Sequence, residues 1–149
     1  MHSYKVWLAV PKNHDKVQVV MYLLDGNLVM DWLEESILNK LAADDALVLV
    51  AVGCDTSLPL LWDARSADYT PGTGDGQIAP NPRSPSRMSG GNLAFHDLLT
   101  DPVAVWVHSE IQVDSQRIGV WGHSYGGLFV LDSLLHSDYF PHYFAASPS

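Results

Sequence analysis

A chain of 149 residues, 47% apolar and with five Trp, can bury the core of one domain, and that composition excludes an intrinsically disordered polypeptide. A formal charge of −9 lacks the basic footprint that nucleic acid requires, so no nucleic-acid partner is expected. The one cysteine, Cys54, excludes an intrachain disulfide and a thiolate metal cluster, and no metal or cofactor is expected.

Residues 1–5 lack a charged segment followed by a long apolar one, so no signal peptide is expected. No apolar stretch approaches the roughly 18 residues of a membrane span. The default expectation is a cytoplasmic protein without a membrane partner.

In chain order, residues 4–10 alternate loosely and end at Pro11, predicting a strand. Residues 17–24 are rich in β-branched side chains and predict a buried strand, ended by Asp25-Gly26-Asn27. Val29, Leu33, Ile37 and Leu41 recur every four residues and predict one amphipathic helix, capped by Asn27. Residues 46–52 form a further apolar run, read as a buried strand, and Cys54 just after it reads as a buried, inert thiol. Residues 53–91 carry Pro59, Pro71, Pro80, Pro82 and Pro85 with little periodicity, which predicts a long loop, most mobile over 73–89. Residues 92–110 have helical character broken at Asp101-Pro102. Residues 117–121 predict a short strand, 128–135 a helix apolar on most sides and therefore buried, and 143–146 a last strand. This alternation implies an α/β fold, a mostly parallel sheet flanked by helices with right-handed crossovers, in a single domain over 1–149.

Between the strand at 117–121 and the helix at 128–135 lies Gly122-His123-Ser124-Tyr125-Gly126-Gly127. G-x-S-x-G in that setting is a nucleophile elbow, a sharp turn that exposes a serine hydroxyl above a sheet. Gly122 and Gly126 remove side chains where backbone crowds, and Gly127 lets the helix approach the sheet. Ser124 is then the nucleophile of acyl transfer. The N–H of Tyr125 is one oxyanion donor. The turn before the first helix offers the other, Asn27 first and Leu28 second.

A base is harder to find. Only His136 and His142 follow Ser124. His136 sits about 18 Å down the helix by its rise, and His142 precedes the last strand, at the far end of the sheet. His123 belongs to the elbow with its side chain directed away from the hydroxyl. His2, His14, His96 and His108 read as surface or capping groups, and Asp132 and Asp138 as helix-surface groups. The catalytic His and acid are expected to be absent from this chain.

Together the motifs resemble the putative-esterase branch of the α/β hydrolases, the siderophore (enterobactin and salmochelin) esterases. The resemblance lies in residues 19–27 (VVMYLLDGN), 63–71 (DARSADYTP), Ser89-Gly90-Gly91, 121–128 and 144–149 (FAASPS). It implies hydrolysis of ester bonds in a trilactone of catechol-serine units, with Ser124 as nucleophile, Asn27 and Tyr125 flanking the oxyanion, and a small-molecule ester such as a ferric siderophore as partner. Arg65 becomes a contact for anionic catecholates, or else a surface ion pair with Asp63 or Asp68. Family members continue past Ser147-Pro148-Ser149, with the catalytic His in that part, and begin earlier. The chain therefore reads as a truncated central portion of an esterase, with little turnover of its own and self-association through an exposed sheet edge. Two other readings stay open: a non-catalytic binder of catecholates, with Arg65, Arg83 and Arg87 offsetting the acidic charge, and a thioesterase or acyltransferase of the same family.

Overall fold

The computed structural model describes residues 2–13, 15, 18–43, 47–72 and 77–149. His14, the first residues of two predicted strands (Val17 and Ala46), and residues 73–76 of the expected mobile loop lie outside the described residues.

Five strands form one sheet in the order β1 (Tyr4–Ala9), β3 (Leu47–Cys54), β2 (Gln18–Leu23), β6 (Val113–His123), β7 (His142–Ala146). Only β1 runs antiparallel to its neighbour; β3, β2, β6 and β7 are parallel. The central strands are apolar because helices cover both faces. Val20, Tyr22, Val48, Val50, Val52, Ile118 and Val120 are all nearly inaccessible to water. Phe95, Tyr69 and Phe129 pack edge to face or tilted against one another over this core. The expected α/β architecture is present, and no described helix is long and apolar enough to cross a membrane.

Four local expectations need correction. The helix spaced on Val29, Leu33, Ile37 and Leu41 is two helices, α1 (Gly26–Trp32) and α2 (Glu35–Ala43), separated at Leu33 and Glu34. A four-residue repeat drifts by about 40° per step around a helix of 3.6 residues per turn, so these side chains would spread over about 120° of one helix. Val29 is buried, whereas α2 buries no residue.

The expected loop at 53–91 contains α3 (Trp62–Tyr69) and a hairpin, β4 (Ala79–Asn81) with β5 (Ser84–Ser89). Their apolar periodicity is weak because, beside Ala64 and Tyr69, the side chains they bury are polar. Arg65, Ser66 and Asp68 face inward from α3. Ser66 Oγ donates to Met88 O at 2.8 Å and receives Asn81 Nδ2 at 2.8 Å, tying helix to hairpin.

Asp101-Pro102 does not break the helix after residue 92. α4 (Asn92–Leu98) passes through a π-helical turn (Leu99–Val103) into α5 (Ala104–Glu110). The widened turn accommodates a proline that has no N–H to give. Finally, α6 (Tyr125–His136) is not buried all round. Phe129 and Val130 are inside, while Leu131, Leu134 and Leu135 are 42%, 52% and 78% exposed.

Cys54 closes β3 opposite Tyr4 and is half-buried. Burial first, and the Asp68 and Asp25 carboxylates second, push its thiol up to about 11, which keeps it protonated and inert at neutral pH.

Candidate active site

The chain leaves β6 at His123 and enters α6 at Tyr125, so Ser124 alone makes the turn. Its backbone sits at φ 56° and ψ −119°, a conformation that side chains rarely adopt and that persists only where the surroundings over-determine it. The Ser124 N–H donates to Ala146 O of β7 at 3.0 Å, and its carbonyl accepts Leu128 N at 3.0 Å. A Cβ on Gly122 would come within 2.3 Å of the Gly126 carbonyl oxygen, so the first glycine is obligatory. Gly126 differs from expectation: a Cβ there would meet only Leu24 and Asp25, at 3.6 Å or more. Its carbonyl is what crowds Gly122.

The facing wall is the turn between β2 and α1. Asp25 adopts the left-handed region (φ 56°, ψ 45°) and occupies the N-cap position of α1. Asn27, the expected cap, lies one residue inside the helix, and its Nδ2 donates to Thr56 O at 2.9 Å. Asn27 is packed on Gly53, where an added Cβ would lie 2.8 Å from the Asn27 nitrogen. Leu28 lines the cavity that contains Ser124.

Arg65 joins the two walls. Its Nε and Nη2 hold the Asp25 carboxylate at 2.7 and 2.9 Å, and Nη2 also donates to His123 O at 3.2 Å. The pair is almost fully buried, and the Asp25 N–H is fixed by Tyr69 Oη at 3.1 Å. The surface ion pair anticipated with Asp63 or Asp68 is therefore not formed. Asp63 takes Arg87 at 3.1 Å. Asp68 accepts the Tyr4 hydroxyl at 2.8 Å, and burial raises its carboxyl above the usual range. Sequence reading missed Asp25 as the partner because the two residues are 40 positions apart.

Between these walls lies a cavity of about 190 Å³. Leu28, Trp32, Leu60, Trp62 and Trp121 give it apolar sides, and Ser124, His123, Asp25 and Arg65 give it a polar end. Arg65 lies 5.1 Å from the centre of the Trp62 ring.

Among the described residues, no histidine is hydrogen-bonded to Ser124 Oγ. His136 Nδ1 is 2.9 Å from Asp132 O, one turn back on α6. His142 is in register with Gly119, at the end of the sheet opposite the elbow, with Nε2 3.1 Å from Gln116 O. His96 is wedged against Phe129 and Phe140, and burial lowers its imidazole pKa. His2, His108 and His123 are exposed. The hydroxyl of Ser124 lies 3.2 Å from Ser149 Oγ. No group of three His, Cys, Asp or Glu among them could hold a metal ion.

A mostly parallel sheet, a serine on a strained strand-to-helix turn and a facing turn before the first helix are the arrangement of the α/β-hydrolase fold. The prolyl oligopeptidase family profile matches residues 87–149. The chain is 45% identical over 148 residues to the apo-salmochelin esterase of Escherichia coli O6:H1, covering 98% of this chain and 46% of that protein. It is 33% identical over 138 residues to the ferri-bacillibactin esterase BesA of Bacillus subtilis, covering 87% and 47%. Among solved structures, the enterobactin hydrolase IroE in complex with DFP superposes with a TM-score of 0.83 at 43% identity, over 97% of this chain and 57% of that one. The chain is siderophore-esterase-like, and it spans about half the length of the curated relatives it matches.

Proposed function

We propose that this chain is the nucleophile-bearing part of a serine hydrolase acting on siderophore esters. The observation that carries the reading is Ser124, held at φ 56° and ψ −119° between β6 and α6. The Ser124 hydroxyl attacks the ester carbonyl, and the tetrahedral oxygen that forms faces the N–H of Tyr125 and that of Asn27 or Leu28. Collapse breaks the ester, leaving the acyl group on Ser124 and releasing the alcohol. The relatives' names supply the substrate class. Trp32, Trp62 and Trp121 offer flat apolar walls to aromatic acyl groups, and Arg65, its charge met by Asp25, holds the polar end in place.

Within one copy, none of the described imidazoles is placed to take the serine proton. The isolated chain in dilute solution is therefore expected to turn over slowly. The test follows hydrolysis of a catechol-serine trilactone by chromatography, for wild type and Ser124→Ala. Whatever hydrolysis occurs should vanish in Ser124→Ala; efficient hydrolysis that survives the substitution overturns the reading. Quenching of Trp fluorescence by the trilactone without product at any protein concentration would identify a binding-only protein instead.

A further inference from the structure

Trp62 opens α3 and lines the Ser124 cavity, with about half of its surface exposed. Two guanidinium groups lie over its indole, that of Arg65 at 5.1 Å and that of Arg87 at 5.8 Å from a ring centre. The two cations differ in what they have left to give. Arg65 is buried and spends Nε and Nη2 on the Asp25 carboxylate. Arg87 donates through Nε alone, to Asp63 Oδ1 at 3.1 Å, in a pair whose side chains are 33% and 79% exposed. An ion pair this exposed is screened by water and holds its partners weakly. Among the described residues, the terminal nitrogens of Arg87 have no hydrogen-bond partner. They form the end-on fork that suits two oxygens of one anion.

Backbone contacts set Arg87 beside Trp62. The carbonyl of its neighbour Met88 accepts Ser66 Oγ at 2.8 Å. The Gly90 and Gly91 N–H groups donate to Thr70 O at 3.0 Å and Ala67 O at 2.8 Å. The strand β5 is thus bolted along α3, the helix that Trp62 begins, and the place of Arg87 does not depend on Asp63.

A catechol-serine trilactone without metal keeps its phenolic protons and carries little charge. With a trivalent metal bound, its catechols are deprotonated and the complex is anionic. A chain of charge −9 repels that complex. A residue that offsets this needs a cation whose charge is not already spent, which Arg65 lacks and Arg87 has.

We propose that Arg87 is a specificity-determining residue of the Ser124 site: stacked on Trp62, it reads the negative charge of the substrate's aryl arm and sets the preference between metal-loaded and metal-free siderophore. The proposal rests on the siderophore-ester reading above. An aryl arm resting on Trp62 brings its phenolate oxygens within the sweep of the Arg87 side chain. Asp63 competes with them for the same guanidinium.

The test is calorimetric titration of the Ser124→Ala chain, which leaves the ester intact, with the trilactone and with its gallium complex. Adding Arg87→Gln should weaken the gallium complex roughly tenfold, the order of one charge-assisted hydrogen bond, and leave the metal-free trilactone within about twofold. Adding Asp63→Asn should tighten the gallium complex and leave the metal-free form alone. Arg117→Gln removes the same charge about 20 Å along β6 from the elbow and should leave the ratio of the two affinities as it was. Arg87→Gln that weakens both forms alike, or changes neither, overturns the proposal, as does an equal effect from Arg117→Gln. Should Arg87→Gln not fold, Asp63→Asn decides alone: gallium-complex binding that is unchanged or looser overturns it. Binding of neither form by a Ser124→Ala chain that melts like wild type sinks the siderophore reading, and the proposal with it.

Discussion

Arg65 shows how one buried side chain ties together pieces that are distant in sequence. Its guanidinium fixes the turn before α1 through Asp25 and the elbow through the His123 carbonyl, so both walls of the cavity share one anchor. Replacing it with Met leaves a buried carboxylate without its cation. Such breakage costs about 3–5 kcal/mol, so Arg65→Met should shift the urea midpoint sharply; a midpoint within error of wild type would contradict this account. The elbow glycines are separable in the same assay. Gly122→Ala forces a methyl into the Gly126 carbonyl and should cost about 3 kcal/mol or more. Gly126→Ala meets only ordinary contacts and should stay within about 1 kcal/mol of wild type. Equal losses in the two variants would refute the contrast. At this scale the Ser124 turn was legible, because G-x-S-x-G falls between an apolar run and a helix-like one. Its partners were not. The Arg65–Asp25 pair spans 40 residues, and nothing in the local pattern of either residue signals the other.

At the scale of elements, legibility followed apolar pattern. The strands were readable from their β-branched runs, although β6 extends further on both sides than residues 117–121. The α3 helix and the β4–β5 hairpin were hidden, since most of what they bury is Arg, Ser, Asp and Asn held by hydrogen bonds. The packing of α4 on α6 carries a pH dependence. His96 is lodged between Phe129 and Phe140, and burial lowers its pKa, while the carboxylates of Asp97 and Asp132 oppose that shift. A base with a lowered folded-state pKa binds fewer protons folded than unfolded. Its contribution is therefore level above its ordinary value of 6.5, and stability is lost as pH falls below it. His96→Gln should flatten that acid limb in denaturation curves taken between about pH 5 and 7. An unchanged slope would show that the imidazole titrates as freely folded as unfolded.

For the molecule as a whole, the sheet order follows from which strands can tolerate exposure. Among the described residues, β3, β2 and β6 each have two strand neighbours and residues wholly withdrawn from water, whereas β1 and β7 have one each. Amide exchange should therefore be slowest at Val48–Val52, Val20–Tyr22 and Ile118–Val120 and faster in β1 and β7. Uniform protection across all five strands would contradict this gradient. The parallel α/β architecture could be read from the order of elements. The placement of β1 antiparallel beside β3 could not, because strand order depends on contacts far apart in sequence.

The Cys54 thiol gives that gradient a clock. Pushed up to about 11 and sitting opposite Tyr4 in the β1–β3 ladder, it should react slowly with alkylating reagents while the ladder is closed. Each opening of β1 frees it to ionise nearer its ordinary value. In a chain with one cysteine, every modified molecule then records one detachment of the first strand. The rate of mass gain under native conditions would measure how often the sheet unzips from that side, without a probe being introduced.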